Sequence, residues 1–398
     1  MLVLRWICAV LFFCPAVVPT AVCEPLKLLI FSLSSSSEEV GAWAGEGIAL
    51  SLKGQLTDTE IRPFTRGETE DLLTENGLPV GEPLSRGSMI YVAEQADADF
   101  VLMGSLVESG DSLKLSARLL NMKTMKQGSE FTVSGTLASL PQMENELAWM
   151  IYSSVARAPS LSREQFSERA RRAPNSAYAS YIESLNVFDE SQKMLLLEKA
   201  VREYADFAEA RFQIGWYYYL KHDCARALPH MEYGLKLPNE RLQSEFMIGT
   251  CRLQTGGTAQ AIEDYMRLLS TTQHMAALNN LAVAYVRNGN VVQSLQTLMD
   301  AGSRGYADPA IAINLVIARY LAGGAAAALE SVEDALKTYS GNGMLYFLSS
   351  FLNNEAGNKE RASEDMARAV RFGVDIDRLS REEPQSWMRL ILNWTNEE

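Results

Sequence analysis

The stretch "EFMIGTCRLQTGGTAQAIEDY", residues 245–265, decides how this 398-residue chain is read. It gathers Gly249, Cys251 and the pair Gly256 and Gly257 into one short segment, a density that suits a phosphate cradle, a nucleophile or a recurring turn. Self-comparison separates these readings. Gly249 follows Gly215 by 34 residues, and Ala261 follows Ala227 by 34. Gly256, Gly289, Gly323 and Gly357 stand 33, 34 and 34 residues apart. A second small-residue column runs through Ala200, Gly234, Leu268, Ala301, Ala335 and Ala369 at intervals of 34, 34, 33, 34 and 34.

Within each period the apolar spacing predicts a helix, a tight turn and a second helix. Phe246, Ile248 and Leu253 precede the Gly256 and Gly257 break, and Ile262, Tyr265, Leu268 and Leu269 follow it. Two short helices cannot bury their apolar faces alone, so the units must stack. The glycines are then structural: Gly249 admits a close helix and Gly256 ends one. As a phosphate loop the stretch fails, because it lacks the Gly-Lys-Ser/Thr ending and follows a helix where a strand is needed.

These residues resemble the tetratricopeptide repeat (TPR) family. "RFQIGWYYYLKHDCARALPHMEYGLKLP" carries Ile214, Gly215, Tyr218, Ala227 and Pro238 at the family's places, and "ALNNLAVAYVRNGNVVQSLQTLMDA" carries Leu281, Ala282, Tyr285, Gly289 and Ala301. The match weakens over residues 309–338, where Val316 replaces the first glycine, over 343–372, and in a degenerate first unit near 175–205. The resemblance implies an all-α TPR superhelix of about six helical pairs over residues 175–380. It also implies an inner groove lined by Phe212, Trp216 and Tyr219, by Phe246 and Leu253, by Asn279 and Val283, by Ile313, Ile317 and Tyr320, and by Phe347 and Phe351. The lysine and arginine clamp that related chaperone adaptors use for a carboxyl terminus is absent from these places, so an apolar protein ligand is expected. Residues 381–398, with Trp387, Leu390, Ile391 and Trp394, are expected to form a helix that partly caps the last unit and leaves the Phe212 and Phe246 end open for a partner helix.

Upstream, residues 24–158 lack the 34-residue period. "LKLLIFSLS" reads as a buried strand, residues 38–57 as a helix capped by Ser35, Ser36 and Ser37 ahead of Glu38 and Glu39, and 100–108, 111–121 and 127–136 as a meander. A closing helix over 137–156 presents Met143, Leu147, Met150 and Ile151. The fold class expected is therefore an α/β amino-terminal domain, a mixed sheet with covering helices, followed by the superhelix. "ADADFVLMGSLVESGDSLKLSARLLNMKTMKQGSEFTVSGT", residues 96–136, resembles the TolB amino-terminal-domain-like superfamily, which includes FlgO-type and CsgG-type periplasmic domains; Gly104, Ser105, Gly110, Asp111, Ala117 and Arg118 carry the likeness. The departure is residues 60–85, loop-rich and without a clear strand. The resemblance implies a cell-envelope protein without catalytic residues. Between the two blocks, residues 159–174 hold Arg163, Arg169, Arg171 and Arg172 and read as a solvated linker.

The first 23 residues have the layout of a secretory signal: Arg5, an apolar run from Trp6 to about Val18, then small residues with cleavage expected between residues 23 and 24. A lipoprotein anchored at Cys23 is the alternative, though "TAVC" lacks the usual leucine. No later run reads as membrane-spanning. Cys224 and Cys251 remain after cleavage, on helices expected to pack, and their pairing stays open.

Composition excludes other classes. With 36 Lys and Arg against 49 Asp and Glu the formal charge is −13, which disfavours nucleic acid. "KHDC" places His222 near Cys224, but the repeat puts His222 at the turn that glycine fills later, and no orienting residue completes a nucleophile or a metal set. "GAWAGEG", residues 41–47, has the wrong spacing for a dinucleotide loop. No catalytic, cofactor or metal residue is expected. The function expected is a non-enzymatic, exported, periplasmic scaffold that binds protein partners in the cell envelope. A subunit of a CsgG-like secretion or assembly ring is the alternative, disfavoured because no long alternating strand pair is apparent, and a hydrolase is the alternative of another class.

Overall fold

The computed structural model describes residues 24–36, 40, 43–57, 59–80, 84–156, 159–303 and 308–394. The expected signal segment, with Cys23, and Ser37, Glu38, Glu39, Gly41 and Ala42 lie outside the described residues. Two compact units divide near residue 172.

The first unit is a three-layer α/β arrangement. Its elements run β1 (Leu26–Ile30), β2 (Ser34–Ser35), α1 (Ala44–Leu56), β3 (Ile61–Pro63), α2 (Arg66–Glu75), α3 (Arg86–Gln95), β4 (Phe100–Ser109), β5 (Ser112–Asn121), β6 (Lys126–Gln127), β7 (Phe131–Gly135), α4 (Leu140–Val155) and α5 (Arg163–Ser167). The sheet order is β3-β1-β4-β5-β6, with β2 beside β4 and β7 beside β5; β1 pairs in parallel with β3 and β4, and β4 pairs antiparallel with β5. Strand period 2 divides the core. Leu28 and Ile30 join α1 and α4 on one face, while Leu29 and Phe31 join Leu73 of α2 and Val92 of α3 on the other.

Three local readings differ from the sequence. The first helix starts at Ala44, six residues late, and Ser35, one of the expected caps, pairs with β4 beside Ser34. Gly45 serves a close approach: a Cβ there would lie 2.1 Å from the Leu33 carbonyl oxygen, and its own carbonyl accepts the Leu33 amide. Residues 60–85 hold the short strand β3 and then α2, which starts at a Thr65 and Glu68 capping box. β4 and β5 are each ten residues, but both faces of their hairpin contribute to the two cores.

The arginine-rich segment is a clasp, where a solvated linker was expected. Phe166 is fully buried, stacked on Tyr152 with ring centroids 5.4 Å apart. Arg171 grips the buried Glu144 through Nε at 3.1 Å and Nη2 at 3.2 Å, and Ser51 donates to the same carboxylate at 2.6 Å. Arg169 donates to the carbonyls of Gln55 and Thr57. The cations satisfy helix-end carbonyls and a buried carboxylate that water cannot reach.

In the second unit, among the described residues, six helical pairs stack: α6 (Asn175–Leu185) with α7 (Glu190–Glu203), α8 (Ala208–Leu220) with α9 (Cys224–Gly234), α10 (Arg241–Gln254) with α11 (Thr258–Leu269), α12 (Met275–Arg287) with α13 (Val291–Ser303), the two halves of α14 (Pro309–Thr338), and α15 (Gly343–Glu355) with α16 (Lys359–Arg371). A left-handed residue closes the first helix of five pairs: His222, Gly256, Gly289, Gly324 and Gly357, with φ of +58°, +89°, +80°, +71° and +83°. The fourth is Gly324, one residue beyond the Gly323 of the sequence column; Gly324 adopts φ +71°, ψ −167°, a combination essentially restricted to glycine. This break also qualifies α14 as a membrane candidate. The thirty-residue helix is long and apolar enough to cross a bilayer, but each half of about fifteen residues spans only about 22 Å.

The small-residue columns are contacts. Ala200, Leu268, Ala301 and Ala369 are fully buried, Gly234 leaves room for Phe212 and Ser244, and Ala335 is only half-buried. Cys224 and Cys251 form a disulfide between α9 and α10 with Cα atoms 5.0 Å apart, so Cys224 is not a thiol beside His222. The chain continues into α17 (Ile376–Leu379), a 3-10 turn at Pro384–Trp387, and a non-helical stretch to Trp394.

Candidate functional site

The first helices of successive pairs carry the side chains that meet this last stretch, which lies along them as an extended segment. Asn314 on α14 grips residue 389 from both sides: its Oδ1 accepts the Arg389 amide at 2.7 Å and its Nδ2 donates to the Arg389 carbonyl at 2.7 Å. Asn280 on α12 does the same for residue 391, accepting its amide at 2.9 Å and donating to its carbonyl at 2.8 Å. Asn279 donates to the Arg389 carbonyl at 2.9 Å, and Asn314 donates to Asn279 at 2.8 Å. All three asparagines are fully buried. Two residues along an extended chain bring the next amide and carbonyl to the same side, so one asparagine from each of two successive repeats, Asn280 and Asn314, substitutes for a neighbouring strand.

Further along, the Tyr219 hydroxyl of α8 donates to the Leu392 carbonyl at 2.7 Å. Burial pushes that hydroxyl above its ordinary pKa, so it stays a neutral donor. Aromatic boxes hold the two ends. Trp387 stands edge-on to Phe347 and Phe351 at 5.0 and 5.1 Å, with its indole N–H donating to the Leu379 carbonyl at 3.0 Å. Trp394 stacks on His274 at 3.9 Å, rings within 5° of parallel, and leans on Phe246 at 5.5 Å. Trp387 and Pro384 close over an apolar surface formed by Ile317, Tyr320 and Phe351 among others. The segment therefore runs against the order of the repeats.

Of the groove residues expected from the sequence, Tyr219, Phe246, Asn279, Ile317, Tyr320, Phe347 and Phe351 come together around residues 384–394. Trp216 is half-buried and stacked on Tyr219. Phe212, Leu253, Val283 and Ile313 are buried in the same core; Phe212 packs toward Gly234 and the Leu253 carbonyl accepts from Arg287.

Two expectations about the tail are corrected. Residues 387, 390, 391 and 394 have helical spacing, yet the segment is extended, because the asparagines supply its amides and carbonyls with partners that a helix would have supplied internally. It also reaches Phe246, the end expected to stay open. Asn280, Asn314 and His274 were missed, although Asn280 and Asn314 stand 34 residues apart among apolar and small neighbours, a signal the sequence carries.

No family model matches this chain, and no curated protein matches it. Similar solved structures include YrrB, described as a TPR protein with an unusual peptide-binding site, at 15% identity over 46% of this chain and 94% of that chain with a TM-score of 0.37. MamA is similar at 16% identity over 45% and 97% of the two chains with a TM-score of 0.37, and MamA from Desulfovibrio magneticus RS-1 at 13% over 42% and 94% with a TM-score of 0.38. The TPR-like character of the helical unit stands on its own recurring pairs and left-handed turns.

Proposed function

We propose that the protein is a non-enzymatic, exported scaffold whose helical groove takes an extended segment of a protein partner. The observation that carries the reading is the backbone grip of Asn314 on residue 389 and of Asn280 on residue 391. Amide side chains that pair with main-chain groups hold any extended segment and do no covalent chemistry. The cell envelope is the proposed setting, supported by the signal-like residues 1–23 and by the disulfide, which persists in oxidising compartments. The first unit is proposed to be TolB-like and to dock an envelope component, supported by residues 96–136.

A random-peptide display selection tests the groove. The bait is the full chain carrying Ile391→Asp, which loosens the tail. The expected result is an enriched set of peptides that no longer bind when Asn280→Ala and Asn314→Ala are added. Failure to enrich any peptide on the folded bait overturns the groove as a protein-binding site. For export, a chain lacking the residues up to Val22 should stay in the cytoplasm while the full chain leaves it shortened by about two dozen residues; an intact or lipid-modified amino terminus contradicts simple secretion.

A further inference from the structure

We infer that the groove selects an extended peptide with two aromatic anchors seven residues apart around an aliphatic run, the pattern of residues 387–394, and that the tail is its tethered competitor. The inference rests on the scaffold reading above and names the ligand. At a rise of about 3.3 Å per residue seven extended residues reach about 23 Å, and here they lead from the Phe347 and Phe351 box to the His274 and Phe246 box. Between them the demands alternate in kind. Trp387, Met388 and Ile391 are buried, so those positions require apolar side chains. Arg389 is exposed, with its guanidinium 3.7 Å from the Met344 sulfur, while its backbone is gripped from both sides, so that position is read mainly through its main chain. Asn393 is exposed as well.

The gripping groups are neutral: asparagine amides and the Tyr219 hydroxyl. A phosphopeptide or a free carboxylate finds no cation among them, which commits the ligand to a mainly apolar segment without an anionic anchor, bound through mid-chain amides. The same neutrality favours exchange. Backbone readers hold a replacement of equal pattern as well as they hold the tail, with no covalent or ionic bond to break. Because the tail is tethered, it faces the groove at an effective concentration on the order of millimolar, so a free peptide binds the intact chain weakly until the tail is loosened.

The test uses a fluorescent synthetic peptide WMRLILNW, the sequence of residues 387–394, read by anisotropy against the full chain. Loosening the tail with Ile391→Asp and Trp394→Ala should tighten binding at least tenfold. Adding Asn280→Ala and Asn314→Ala, or replacing both tryptophans of the peptide with alanine, should weaken it at least tenfold. A peptide of shuffled order that binds equally well, or a loosened chain that binds no better than the intact one, overturns the inference. Should the loosened chain fail to fold, the unmutated chain decides: a saturating excess of peptide should speed hydrogen exchange across residues 388–394 at least tenfold, and unchanged exchange overturns the inference. If display selection enriches other sequences while this peptide fails, the groove stands and the ligand class falls; if neither binds, both fall.

Discussion

Replacing Asn280 with alanine should cost the helical unit about 1.5–2.5 kcal/mol, most of it through the tail, since its further partners Asn279 and Thr250 stand at 3.1 and 3.4 Å. Asn280 makes two hydrogen bonds to residue 391, at 2.9 and 2.8 Å, in a fully buried setting. At about 1 kcal/mol net per bond the loss is about 2 kcal/mol, and the stranded amide and carbonyl of Ile391 add to it. Asparagine in mid-helix is a poorer helix former than alanine by about 0.5 kcal/mol, which offsets part of the loss. Urea unfolding followed by tryptophan fluorescence reads the change, since Trp387 and Trp394 sit in the groove. The exposed Asn354 on α15 is the control, and its alanine variant should move stability by under about 0.5 kcal/mol. In a chain ending at Arg381 the Asn280→Ala cost should fall to what the contacts with Asn279 and Thr250 contribute, giving a coupling of about 1–2 kcal/mol between the side chain and the tail. An Asn280→Ala cost that is the same with and without the tail refutes the grip.

Three further outcomes are expected. Replacing Cys224 and Cys251 together with serine releases a loop of sequence separation 27 and should cost about 3–4 kcal/mol by the chain-entropy relation, read as a lower urea midpoint; no change means the bond does not form. Burial lowers the Lys53 ammonium from 10.5 to about 8, so between those values the folded unit binds fewer protons than the unfolded chain and stability rises with pH. Thermal melts of the first unit should show that rise, and Lys53→Met should flatten it; an unaltered profile places the titration elsewhere. Gly324→Ala should destabilise by about 1–3 kcal/mol because its dihedrals admit only glycine, whereas His222→Gly should be neutral or stabilising; the reverse order in calorimetry refutes the turn assignment.

The repeat was legible because stacking imposes the same steric demand every turn of the solenoid: Ala200, Leu268, Ala301 and Ala369 mark it, and glycine marks the left-handed turn at 256, 289 and 357. His222 was readable as a turn residue from register alone, and its φ of +58° agrees. The slip at Gly323 came from two adjacent glycines, between which composition does not choose; only Gly324 takes the left-handed angle, while a Cβ on Gly323 would meet Ala327. The α/β unit was legible in its strands and less so where tertiary contacts set the boundaries, as ahead of Ala44, where β2 pairing takes Ser35 away from capping. The arginine clasp was hidden because its partners, Glu144 and the carbonyls of Gln55 and Thr57, are distant in sequence. The tail misled for a definite reason: its apolar residues satisfy a helical period, and nothing local reveals that Asn280 and Asn314 supply its hydrogen bonds.

Amide hydrogen exchange along residues 388–394 of the full chain tests the central claim most directly. The account predicts slow exchange at Arg389 and Ile391, whose N–H groups are taken by Asn314 and Asn280, and faster exchange at the exposed Asn393. Uniform protection, as in a capping helix, or exchange at Arg389 and Ile391 as fast as in a free peptide would contradict it.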